Sequence, residues 1–189
     1  MKNLSILWLL IFSLSFTFNY AEEAHSAKSP RMEGEAFNEG GVNWQKVIIE
    51  KPSFQVSALF PGHLLLRKDL AMSKSGPTRE SKEGDSFFVV DTRSIINPPV
   101  DYEAFVDYYT KRRGDFNYKG QFLPLECQKP FVKYAAEYKF KNKKGRDELS
   151  HFFVTQNRIY TLTSTGNNPA LSSAFFDSFT ILKDEPKDD

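Results

Sequence analysis

The sequence predicts an α+β domain whose largely antiparallel sheet is flanked by helices. Three observations predict this class. Short apolar runs bounded by turn residues, which are typical of strands, recur from Trp44 onward. Helix signals occupy Asp101 to Arg113 and return at Asn168-Pro169. The stretch from Phe116 to Thr163 alternates apolar and polar residues, as an antiparallel meander does.

The first half of the chain supplies the early strands. Gln45 to Glu50 and Phe54 to Phe60 carry the apolar patterns of two neighbouring strands. Leu64 to Met72 is a candidate third strand. Ser73 to Asp85 is predicted to be a loop, because it contains almost no apolar residue. Ser86 to Arg93 then returns to a strand pattern.

Two helices are predicted. The first runs from Asp101 to Arg113, and its apolar face is formed by residues spaced i, i+3, i+4 and i+7. These residues are Tyr102, Phe105, Val106 and Tyr109. The second helix begins with Asn168 as its cap and Pro169 in its first turn, the positions that these residue types favour.

The meander contains a hairpin with a charged turn. Asn142 to Arg146 is predicted to form that turn, because it is polar and contains Gly145. The strand before it has Tyr134, Ala136, Tyr138 and Phe140 on one face. Glu148 to Thr155 is predicted to pair back, and Arg158 to Thr163 to continue the sheet.

The amino terminus has the layout of a cleavable export signal. Lys2 precedes an apolar run from Leu4 to Phe18, and Ala21 is a suitable residue before a cleavage point; Ala24 and Ala27 are alternatives. The run is shorter than the roughly 20 residues of a spanning helix. The sequence therefore predicts an exported protein, periplasmic or secreted, with no integral membrane segment after cleavage.

The chain divides into four parts on this interpretation. Residues 1–21 form the signal peptide and residues 22–43 a flexible polar leader. Residues 44–182 form a single α+β domain, and residues 183–189 a charged tail.

Composition bears on the classes of partner and chemistry. The chain has 25 basic and 24 acidic residues, and Lys2 is the only charge in the signal. The processed chain is then neutral, which argues against nucleic acid as a partner. Cys127 is the only cysteine, so no internal disulfide can form.

Catalytic and metal sites are weakly indicated. A cysteine-dependent hydrolase would pair Cys127 with His63 or His151, but a buried, inert thiol is the favoured interpretation. No ligand spacing predicts a metal, and no cofactor is expected. The acidic pairs Asp147-Glu148 and Asp184-Glu185 are interpreted as exposed and solvated.

An anion site at a helix start is a further alternative. Thr165-Gly166-Asn167-Asn168 precedes the second helix, whose free N–H groups are able to bind an anion. A simple capped turn is the favoured interpretation of this segment.

Aromatic doublets suggest a candidate partner or ligand surface. Neighbouring residues on a strand point to opposite faces, so one ring of each strand doublet leaves the main core. The candidate surface residues are Phe88, Tyr108, Phe152 and Phe176. A protein or a small apolar ligand is the expected partner. The alternative is a sheet that is covered on both sides.

Two stretches resemble Mog1/PsbP/DcrB-like domains. Phe54 to Gly62 resembles their opening "F-x-V-x-x-x-x-P-G" strand. Asn157 to Leu162 followed by Ala174 to Phe179 is similar to their closing strand, helix and final "F-x-x-S-F" signature. The resemblance covers roughly Trp44 to Leu182.

The resemblance implies an α/β/α sandwich, with roles in non-catalytic binding or assembly and no catalytic residues to carry over. It favours an exported binding or assembly protein. A carrier of small molecules or lipids with an aromatic pocket is the second hypothesis, and the hydrolase with Cys127 is the third.

Overall fold

The computed structural model of the protein describes residues 35–65, 78–95, 97–113, 120–142 and 144–186. The export signal lies outside these residues, as does most of the candidate strand from Leu64 to Met72. The strands are β1 (Ala36–Glu39), β2 (Val42–Lys51), β3 (Phe54–Pro61), β4 (His63–Leu65), β5 (Thr78–Glu83), β6 (Ser86–Ser94), β7 (Gly120–Leu125), β8 (Tyr134–Lys141), β9 (Asp147–Val154), β10 (Arg158–Thr165) and β11 (Thr180–Asp184). The helices are α1 (Tyr102–Arg113) and α2 (Pro169–Ser178).

The strands form two antiparallel sheets. A four-stranded sheet has the order β1-β2-β3-β11, and a seven-stranded sheet has the order β4-β5-β6-β10-β9-β8-β7. Strands account for 57% of the described residues and helices for 16%. The predicted α/β/α sandwich with flanking helices is therefore wrong, and the fold is β-rich. The physical reason is that one face of the large sheet packs mainly on the second sheet.

The main core lies between the two sheets and α2. Phe175 of α2 sits at its centre, with ring centroids 5.3 Å from Phe60 of β3 and 5.4 Å from Phe88 of β6. Phe179, directly after α2, stacks on Phe153 of β9 at 5.2 Å. The helix thus fills the space that the four-stranded sheet leaves uncovered.

A second core lies on the opposite face of the large sheet, beneath α1. Phe105 is fully buried there, and its ring contacts those of Tyr109, Phe122, Tyr134 and Phe152. Phe152 and Phe153 of β9 therefore serve different cores, as strand alternation requires. The alternative of a sheet covered on both sides is confirmed for this part of the sheet.

Most of the predicted strands and helices are confirmed, but one predicted loop is wrong. The expected loop from Ser73 to Asp85 contains β5, which pairs with β4 and β6. This strand has the sequence TRESKE and no apolar residue. Its backbone hydrogen bonds hold it in the sheet, so a search for apolar patterns misses it.

The described domain also extends beyond the expected limits of 44–182. Strand β1 and the start of β2 fall within the segment expected to be a flexible leader, and β11 continues to Asp184. Asp184 was expected to be solvated, but its side chain is only 1% exposed. That expectation was wrong because a buried arginine lies against the carboxylate.

The buried arginine is Arg158 of β10, whose side chain is also 1% exposed. Its Nη1 lies 2.6 Å from Asp184 Oδ1, and its Nη2 donates to Ser53 Oγ at 2.6 Å. The hydroxyl of Tyr160 donates to the same Asp184 oxygen at 2.9 Å. The guanidinium carbon lies 4.8 Å from the ring centroid of Phe54. This network joins the two sheets at one end of the main core.

Candidate functional site

A groove of roughly 830 Å³ lies between α2 and the β8–β9 hairpin. Leu149 and His151 of β9 lie on the same face as Phe153, because residues two apart on a strand share a face. The groove therefore lies on the same side of the sheet as the main core, and Phe176 of α2 separates the two. Its lining includes both apolar and charged side chains.

The floor of the groove is a stacked pair of rings. The rings of His151 and Phe176 lie 3.9 Å apart between centroids, with an interplanar angle of 17°. On its inner side Phe176 contacts Phe175 at 5.5 Å, so the stack is anchored in the main core. The His151 side chain is 13% exposed. The histidine is thus held rigidly at the edge of the protein interior.

A carboxylate orients His151. Nε2 of His151 lies 3.2 Å from Oε2 of Glu137, and the two residues are directly opposite each other on β9 and β8. The other oxygen, Glu137 Oε1, lies 2.7 Å from Nζ of Lys139. When His151 is neutral, the carboxylate holds a proton on Nε2 and leaves Nδ1 as an acceptor.

The pKa values of this pair follow from its burial and contacts. Burial lowers the pKa of His151 below its usual value of 6.5, and this effect exceeds the opposing influence of Glu137 and Asp177. Burial raises the pKa of Glu137, but hydrogen bonds and charges from Lys139 and His151 outweigh it and lower that pKa below 4.5 overall. A neutral histidine beside an ionised glutamate is the resulting state at pH 7.

This histidine makes the stability of the protein depend on pH. The unfolded chain takes up a proton at His151 before the folded chain does. Stability is therefore fully present above about pH 6.5 and falls as the pH is lowered toward the folded-state pKa. Glu137 lowers the stability of the protein further only below about pH 4.5, because its pKa in the folded state is depressed. We expect urea titrations to show a falling midpoint between pH 7 and 5 that His151→Gln largely abolishes.

His63 provides a matched control for this experiment. It is exposed on β4, and His63→Gln should keep the wild-type decline. An unchanged decline in His151→Gln would show that other groups cause the pH dependence.

The far wall of the groove is the start of α2. Asn168 caps the helix, its Oδ1 accepting from the Leu171 N–H at 3.1 Å, so the predicted capped turn is confirmed. Ser172 Oγ lies 2.6 Å from Ser164 Oγ of β10, which fixes the helix to the sheet. Gly166 has φ of +131°, and a Cβ at this position would overlap Ser86. Glycine is required there for the chain to turn into the helix.

The four predicted surface residues are not brought together. Phe88 and Phe152 are fully buried in the main and second cores, respectively. Tyr108 is half-buried and packs against the second core beside Tyr109. Of these four residues, Phe176 is the one that lines the groove.

The residues of the predicted hydrolase are also separate. Cys127 is half-buried, and its Sγ accepts from the Lys129 N–H at 3.5 Å. Within the described parts of the chain, it is hydrogen-bonded to neither His63 nor His151. In the same residues no hydroxyl or thiol hydrogen-bonds to His151, and no group of histidine, cysteine and acidic residues is arranged to hold a metal ion.

The Glu137–His151 pair was missed at the sequence level, where His151 was considered only as a partner for Cys127. The position of the predicted turn from Asn142 to Arg146 is enough to predict this pair. Glu137 and His151 are equally distant from Lys144 at the centre of that turn, so a regular hairpin places them opposite each other.

A comparison with protein-family models and with curated protein sequences gives no match to this chain. The resemblance to Mog1/PsbP/DcrB-like domains therefore stays a prediction. In the part of the chain that the structure describes, neither helix combines the length and apolar character needed to cross a bilayer.

Proposed function

We propose that this chain is an exported, non-catalytic binding protein that holds a small ligand in the groove between α2 and the β8–β9 hairpin. The observation that carries the proposal is the groove itself, with its stacked His151–Phe176 floor. Its volume falls within the range of about 300–1,000 Å³ that is usual for small-molecule sites. The signal-like amino terminus supports export.

The surroundings of the groove favour binding over a purely structural role. Sites for small ligands combine an apolar surface with a few fixed polar groups. Leu149 and Phe176 supply the apolar surface here, and the Glu137–His151 pair supplies polar groups in a fixed orientation. A rigid site of this kind loses little conformational entropy when a ligand binds.

A substitution on the helix wall tests the proposal. Ser173 is exposed, lines the groove and lies on α2. We expect Ser173→Trp to fill part of the groove and to weaken ligand binding by tenfold or more. The measurement is a fragment screen by amide NMR, in which wild-type shifts should cluster on α2, β8 and β9.

Ala174 provides the matched control. It is the next residue of α2 and is also exposed, but it does not line the groove. Ala174→Trp should therefore bind fragments as the wild type does. Hits scattered over the surface, or equal binding by Ser173→Trp, would contradict the proposal.

A further inference from the structure

The lining of the groove carries an excess of negative charge. Three carboxylates and two ammonium groups face it, so its net charge is −1 while His151 is neutral. The carboxylates belong to Glu137, Asp147 and Asp177, and the ammonium groups to Lys139 and Lys141. Glu148 lies on the opposite face of β9, with Phe152, so its carboxylate points away from the groove. The processed chain as a whole is expected to be neutral, so this charge is a local property of the groove.

Both lysines of the lining are already neutralised. Lys139 pairs with Glu137 at 2.7 Å, and Lys141 pairs with Asp147 at 2.9 Å. These pairs leave no free cation among the described lining residues to attract an anionic ligand.

The third carboxylate has only a neutral hydrogen-bond partner among the described residues, since Asp177 Oδ2 accepts from Ser173 Oγ at 3.1 Å. Asp177 lies on α2 and Glu137 on β8, so these two carboxylates belong to opposite walls of the groove. A cation that entered between these walls would gain attraction from both.

The ring stack suits a ligand with an apolar body. The rings of His151 and Phe176 cover each other and Phe176 is 3% exposed, so the stack contributes an apolar floor and not an open ring face. With Nε2 facing Glu137, the neutral histidine presents Nδ1 as an acceptor, which suits an ammonium N–H and repels an oxyanion.

We propose that the groove selects an organic cation, with an apolar or aromatic body and one protonated amine. This inference rests on the proposed function, because it names the ligand class of the same groove. It predicts that the charge of a ligand affects its affinity for the groove more than the shape of its ring does.

Three probes that share one ring system test this selectivity. They are 1-naphthylmethylamine, 1-naphthylmethanol and 1-naphthoate, which are cationic, neutral and anionic at pH 7. We expect the amine to bind on the order of tenfold more tightly than the alcohol, and the naphthoate to bind most weakly. The measurement is a calorimetric or NMR titration, with binding located by the amide shifts of β9 and α2. Added salt should reduce the preference.

Charge-neutral substitutions test the carboxylates. Asp177→Asn should weaken binding of the amine by about threefold and leave the alcohol unchanged. Glu148→Gln is the matched control, because its carboxylate faces away from the groove, and it should leave binding of the amine unchanged. Lys141→Gln makes the opposite change of charge on the hairpin wall and should strengthen binding of the amine, because it frees Asp147. Thermal unfolding identifies any variant that does not fold, and the substitution on the other wall then provides the test.

The outcomes distinguish this inference from the proposed function. Equal or tighter binding of naphthoate in the groove would overturn the charge selectivity and leave the groove a binding site. A preference for the amine that persists undiminished in Asp177→Asn would also overturn it. Failure of all three probes to shift the groove amides overturns it as well, and the fragment screen then decides the fate of the proposed function separately.

Discussion

Arg158→Met should lower the free energy of unfolding by about 3–5 kcal/mol, the usual cost of breaking a buried ion pair from one side. The substitution removes the donors that satisfy Asp184 and Ser53. Among the described residues, the buried Asp184 carboxylate would then keep the Tyr160 hydroxyl as its side-chain donor. Urea unfolding followed by circular dichroism measures the loss.

A double substitution separates the buried charge from packing. Arg158→Met combined with Asp184→Leu removes both charges, and replacing a buried pair by apolar groups is often neutral. The double variant should therefore be more stable than Arg158→Met alone. Lys111→Ala breaks an exposed pair on α1 and should cost no more than about 0.5 kcal/mol. A loss below about 1 kcal/mol for Arg158→Met would show that water reaches this network in solution.

Phe105→Ala should destabilise the protein by about 3–5 kcal/mol, as large-to-small substitutions of buried aromatic residues do. Phe105 is fully buried, and its ring, like that of Tyr109, joins α1 to both β7 and β9. Its removal leaves a cavity between α1 and the outer face of the large sheet. Because α1 lies on the second core alone, we expect its amides to lose protection from hydrogen exchange before those of β3 and β11 do.

Phe131 is the control for the loss of an aromatic ring. Its side chain is 52% exposed, so Phe131→Ala should change stability by less than about 0.5 kcal/mol. If hydrogen exchange in Phe105→Ala accelerates equally in both cores, α1 is not a separately opening unit, and the picture of two independent cores is wrong.

Local patterns revealed most of the elements, but they could not reveal how the strands divide between two sheets. The bounds of α1 and the Asn168 cap followed from apolar spacing and residue preferences, which act within a few positions. The pairing of β11 with β3 depends on residues such as Val56 and Ile181, far apart in the sequence. No local preference specifies that pairing. The residue patterns predicted one sheet flanked by helices, and the α/β/α sandwich was implied by the resemblance to Mog1/PsbP/DcrB-like domains; neither revealed the second sheet.

The candidate site shows the same limit at the level of single residues. Both members of the Glu137–His151 pair are encoded by one hairpin, so their contact is local enough to be predicted. Phe176 comes from α2, and only the folded chain brings its ring onto His151. Sequence reasoning proposed Phe176 because it belongs to a doublet, without any reason to place it beside a histidine.

The pairing of β3 with β11 also bears on how the chain folds. The amide of Leu59 donates to Ser178 Oγ, 119 positions away, and Lys183 reaches the Pro52 carbonyl across 131 positions. Contacts of such separation close large loops and slow folding, whereas the β8–β9 hairpin is able to form early. Until β11 docks, β3 is an open edge, with unpaired backbone groups that can template pairing with another chain. Docking of β11 covers this edge of eight residues, and the new edge is β11 itself, which has only five residues and a register shift. Short and irregular edge strands are poor templates for pairing, so β11 protects the sheet from aggregation.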